Sequence, residues 1–108
     1  MIANTPKPPY YAVIFTSVRT ESDNGYSAMS DKMLELAGQQ DGFLGVESAR
    51  GKIGITVSYW RDEDSIRKWK ENMDHSVARK KGREVWYSKF KTRISKVERD
   101  YEFSTGGF

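Results

Sequence analysis

The chain has 108 residues, enough for one domain with a limited core. It has no cysteine, which excludes disulfides, thiolate catalysis and cysteine-ligated metal. Formal charge is +3, and no apolar run approaches the roughly 20 residues of a membrane span, so a soluble cytoplasmic protein with no membrane partner is expected.

Hydrophobic residues make up 37% and aromatic ones 13%, so rings must supply much of the burial. A low apolar fraction of this kind suits burial shared between two copies. The charge is uneven, with thirteen Lys/Arg against seven Asp/Glu from Arg61 to Arg99. The acids are interleaved there, which describes a solvated mixed surface better than a polyanion site.

Met1 to Pro9 holds all three prolines and lacks the basic start and apolar run of a signal peptide. Residues 1–9 read as a flexible N-terminal arm. Tyr10 to Thr20 alternates as a strand, with Tyr11, Val13 and Phe15 on one face and Tyr10, Ala12, Ile14, Thr16 and Val18 on the other. Both faces are apolar in the middle, so both need a cover. Tyr26, Met29, Met33, Leu36 and Ala37 recur at helical spacing from about Gly25 to Gln39, with Ser27 or Ser30 available as a cap.

Asp41-Gly42 is a turn signal, and Phe43 to Ala49 is a second strand, with Leu44 and Val46 opposite Phe43, Gly45 and Glu47. Arg50-Gly51-Lys52 links it as a hairpin to a third strand, where Ile53, Ile55, Val57 and Tyr59 alternate with Gly54, Thr56, Ser58 and Trp60. The period then changes. Asp62 or Asp64 can cap a helix carrying Ile66, Trp69 and Met73, and acidic residues suit its positive end. Asp74 can cap a second short helix through His75, Ala78 and Lys81, ended by Gly82. Val85 to Phe103 is long and strand-like, with Val85, Tyr87 and Lys89 alternating with Trp86, Ser88, Phe90, Thr92 and Ile94; residues 104–108 form a flexible tail.

The order β-α-β-β-α-β is the ferredoxin-like α+β arrangement: an antiparallel sheet with helices on one face. Its other face is bare in a monomer, and the economical cover is a second copy. RNA-recognition domains share the order, but their third strand carries stacking aromatics. Lys52 to Tyr59 has isoleucine at those positions, so no nucleic-acid partner is expected.

Tyr59-Trp60-Arg61-Asp62, then Ile66, Trp69, His75, Gly82 and Trp86-Tyr87, resembles the antibiotic biosynthesis monooxygenase family of the dimeric α+β-barrel superfamily. The resemblance runs from about Tyr11 to Phe103 and defines a domain over 10–103. It implies a homodimer whose two sheets close on each other. It also implies a cofactor-independent monooxygenase, without metal, in which a deprotonated phenolic substrate reduces oxygen inside a dry helix–sheet cavity.

Candidate residues follow. His75, the only histidine, is either a general base or a helix-start residue bonded to backbone. Trp69 is either core or a cavity wall. With Asn72, these three form the expected catalytic set. Phe43, Tyr59, Trp60 and Trp86 are plausible lining for a flat aromatic substrate. Arg79 is a possible anion contact. The haem-degrading branch of the family implies a helical histidine, but the position ten residues after Trp69 holds Arg79, and Tyr11 to Thr20 has no asparagine. A non-catalytic dimer binding a small molecule in the same cavity is the alternative reading.

Overall fold

The computed structural model describes residues 2–21, 25–74 and 86–105. The elements run β1 (Tyr10–Arg19), α1 (Tyr26–Gly38), β2 (Phe43–Arg50), β3 (Gly54–Trp60), α2 (Glu63–Asp74) and β4 (Tyr87–Val97). The strands form one sheet in the order β2-β3-β1-β4, and each paired neighbour is antiparallel. This is the ferredoxin-like α+β fold expected from the element order. The short helix expected around His75 lies outside the described residues.

Directly paired residues share a sheet face. Tyr11, Val13, Phe15 and Ser17 pair with Trp60, Ser58, Thr56 and Gly54. The Trp60 ring stacks on Trp69 of α2 at 6.1 Å, so this is the helix side. Ala12, Ile14 and Thr16 pair with Tyr59, Val57 and Ile55 on the opposite side. The alternation read for β1 and β3 holds.

Two register shifts break the alternation elsewhere. Trp60 pairs with Phe43, but its neighbour Tyr59 pairs with Gly45, leaving Leu44 as the extra residue. Phe43 therefore joins Val46 on the helix side, whereas Glu47 stays opposite. Likewise Val18 pairs with Lys89 and Arg19 with Tyr87, leaving Ser88 extra. Tyr87 therefore joins Phe90 on the helix side instead of facing away from it. Each bulge adds one residue to one strand and brings a ring inward.

Several ends differ from expectation. Neither Ser27 nor Ser30 caps α1. The helix starts after Gly25, which has φ +80° and gives no side-chain cap. Leu36 is exposed, and Ala37 is the buried residue of that turn. The strand β4 stops at Val97, and Tyr101 and Phe103 beyond it are exposed. The helix α2 follows its pattern: Ile66 is buried and Trp69 and Met73 are half-buried, while Arg67 pairs outward with Asp64 and Glu71.

The side opposite the helices is not wholly bare. The Ala3 N–H donates to Glu47 Oε2 at 2.9 Å, and Tyr59 OH donates to Glu47 Oε1 at 2.6 Å. Tyr10 OH donates to Asp100 Oδ2 at 2.5 Å, and Thr5 Oγ1 donates to Tyr10 OH at 3.0 Å. Segments from both ends of the chain thus cover the Tyr10–Tyr59 end of this side. Ile55 and Val18, toward the other end, remain exposed.

Candidate functional site

The junction between β3 and α2 is built around Asp62. Its Oδ1 accepts the Ser65 N–H at 2.7 Å, which caps the first turn of α2. Bonds from Ser65, side chain and backbone, and from Arg61 hold its carboxyl down at about 2. Arg61 reaches back to both oxygens of Asp41 at 3.1 Å, and its N–H donates to the Gly42 carbonyl at 2.8 Å. Gly42 has φ +89° and lies against Ser65. Together these contacts hold the start of β2 to the start of α2.

That hold sets the ring geometry. Trp60, with no exposed surface, has Phe43 edge-on at 5.4 Å and Trp69 stacked at 6.1 Å. The Trp60 Nε1–H donates to Ser58 Oγ at 2.9 Å, so the indole has its polar need met inside the sheet. Phe43 and Trp69 are half-buried.

Of the expected catalytic set, Trp69 stands at this helix–sheet seam, Asn72 is exposed on α2, and His75 lies outside the described residues, as does Arg79. Of the expected lining, Phe43 and Trp60 meet Trp69. Tyr59 does not line the helix side. It faces the opposite side with Tyr10, its ring 5.8 Å away, because neighbours on a strand point apart. Burial and its bond to Glu47 raise the Tyr59 phenol to about 12.

Trp86 belongs to a second ring cluster at the other end of the sheet. It is buried, and Tyr26 at the start of α1 lies edge-on to it at 5.6 Å. Tyr26 also meets Tyr87 at 5.9 Å, and the Arg19 guanidinium lies 3.4 Å above the Tyr26 ring. Phe15 joins this cluster through Tyr87 and Phe90, both at 5.3 Å. Nothing in the spacing of the aromatic residues separates Trp86 from Trp60.

A groove of about 180 Å³ runs between α2 and β4. Ile66 and Ile94 supply its apolar floor, and Glu63, Arg67 and Lys70 its rim. None of the candidates among the described residues lines it, and it is small beside ordinary ligand pockets, which run to about 300 Å³ or more. Among the described residues no three His, Asp or Glu side chains gather to hold a metal.

The fold is that of the antibiotic biosynthesis monooxygenases. It superposes on SnoaB, a cofactor-independent oxygenase from Streptomyces nogalater, with a TM-score of 0.72 and 9% identity, over 84% of this chain and 95% of that one. A Nitrosomonas europaea protein proposed to be an antibiotic biosynthesis monooxygenase matches with a TM-score of 0.60 and 12% identity, over 85% of this chain and 92% of that one. No family model matches. By sequence the chain belongs to the family of YqjZ, an uncharacterized protein of Bacillus subtilis: the two are 50% identical over 104 residues, covering 94% of this chain and 91% of that one.

Proposed function

We propose that the chain is a cofactor-independent monooxygenase for a small aromatic or phenolic substrate, working as a homodimer. The observation that carries this reading is the Trp69 ring at the helix–sheet seam, backed by Trp60 and flanked by Phe43, in a fold shared with a cofactor-independent oxygenase. The half-buried rings of Trp69 and Phe43 would hold a flat ring. Trp60, being wholly covered, would act as backing. Asn72, three residues on from Trp69, would stand at the rim. His75 would take the phenolic proton, and the deprotonated substrate would then reduce oxygen in a site kept dry by the rings.

The test is oxygen consumption by the purified protein with quinol and anthrol substrates. Uptake that falls about a hundredfold or more in His75→Ala, the scale of a lost general base, supports the reading. A fall in Trp69→Ala places the reaction at the seam. Binding of these substrates with no oxygen uptake would leave the same dimer as a non-catalytic binding protein. The exposure of Asn72 favours that second reading, since a donor turned to solvent stabilises an oxyanion poorly.

A further inference from the structure

At the end of the sheet away from Trp60, a second group of side chains has no part in the oxygenase reading. Arg50 closes β2, and its Nη2 donates to Ser17 Oγ at 2.6 Å. Ser17 is only 1% exposed. The guanidinium occupies the space over Gly54, the residue paired with both Arg50 and Ser17. A Cβ on Gly54 would fall 2.0 Å from Nη2 and 2.1 Å from Cζ. The strand thus omits a side chain where the guanidinium rests.

Among the described residues, Arg50 bonds to this neutral serine and pairs with no carboxylate. A guanidinium has five N–H donors in a planar fork, so most of them stay available. Beside it stand three rings in mutual contact. Phe15 lies 5.3 Å from both Tyr87 and Phe90, and those two are 6.0 Å apart. Phe90 is 39% exposed, so the ring platform opens to solvent next to the cation. Tyr87 OH donates to Tyr26 OH at 3.3 Å; burial and this bond raise the Tyr87 phenol, and the nearby charge of Arg50 opposes that rise.

We propose that Arg50 and Ser17, with the Phe15–Tyr87–Phe90 rings, form a binding site for an aromatic carboxylate. The carboxylate takes the open fork of Arg50 in the bidentate manner that guanidinium favours. The ligand ring lies against the exposed part of Phe90. A planar anion without a ring leaves that platform unused, and a neutral aromatic leaves the fork unused. The site does not depend on the oxygenase reading, because a protein that only binds would contain it equally.

The probe is 1-naphthoate, titrated calorimetrically at low salt, with 1-naphthylmethanol as its neutral counterpart. Wild-type protein is expected to bind the acid at millimolar concentration or below and the alcohol at least tenfold more weakly. Arg50→Gln should weaken acid binding about tenfold or more. Gly54→Val keeps the charge but fills the place of the guanidinium, and should weaken it too. Circular dichroism checks that each variant is folded. If Arg50→Gln does not fold, Arg50→Lys decides, since it keeps the charge and loses the fork. The proposal is overturned if wild type fails to bind naphthoate, if the alcohol binds as tightly as the acid, or if the folded Arg50 variant binds as wild type does.

Discussion

Gly42 and Ser65 approach so closely that a Cβ on residue 42 would lie 2.1 Å from Ser65 Oγ and 2.6 Å from its Cβ. The serine is buried and sits in the first turn of α2, so it has little room to move. Gly42→Ala therefore combines a left-handed backbone with a steric clash. It should cost about 2–3 kcal/mol, the scale of strain held at a fixed backbone position, and lower Tm by on the order of 10 °C. Gly25 has a similar φ of +80° but open space around it. Gly25→Ala should cost only about 1 kcal/mol. Denaturant titrations of the two variants check the difference, and equal losses would show that the contact with Ser65 carries little.

The cap on α2 makes a second test. Asp62 is depressed to about 2 in the folded chain, against an ordinary aspartate value of 3.8. A depressed carboxyl contributes stability that is present above the ordinary value and is lost as pH falls through the folded one. The contribution should fade between about pH 4 and 2. Asp62→Ala should lower Tm by a few degrees at neutral pH and by progressively less as pH approaches 2. A Tm difference that stays constant with pH would exclude the cap as its source.

On the opposite side of the sheet the sign reverses. Tyr59 is raised to about 12 by burial and by the hydrogen bond it donates to Glu47. A raised phenol stays neutral in the folded chain while its unfolded counterpart ionises near pH 10, so this stability is lost as pH climbs from about 10 to 12. Absorbance at alkaline pH should show late-titrating tyrosines, Tyr59 among them, and Tyr59→Phe should remove one tyrosine from that late phase. The same substitution should cost about 1 kcal/mol at neutral pH, where it removes the hydrogen bond.

Exposed Ile55 and Val18 share the side of the sheet that a second copy would cover. Light scattering of the wild type should return about twice the 12.4 kDa chain mass. Ile55→Asp should shift that value toward a single chain, because a carboxylate buried without a partner is costly. A variant that keeps the doubled mass would place the contact elsewhere.

The fold was legible in the sequence because each element carries its own period. The two-residue alternation of Tyr10 to Thr20 and the helical spacing of Ile66, Trp69 and Met73 both survive in the structure. The ring clusters were less legible. An added residue such as Leu44 or Ser88 leaves no mark in composition, yet it carries Phe43 and Tyr87 to the side that strict alternation denies them. Arg50 read as part of a turn because its partner Ser17 is 33 residues away and an arginine before a glycine looks like a loop. Tyr59 resembles Trp60 in chemistry as cavity lining, but adjacent positions on a strand set the two on opposite sides.

Ala3 and Asp100 are both fastened to one side of the sheet, through Glu47 and Tyr10. The chain therefore enters at Ala3 and leaves at Asp100 along that same surface. Loosening either anchor, at Glu47 or at Tyr10, would widen the uncovered part of that surface, so the two ends of the fold act on one shared patch.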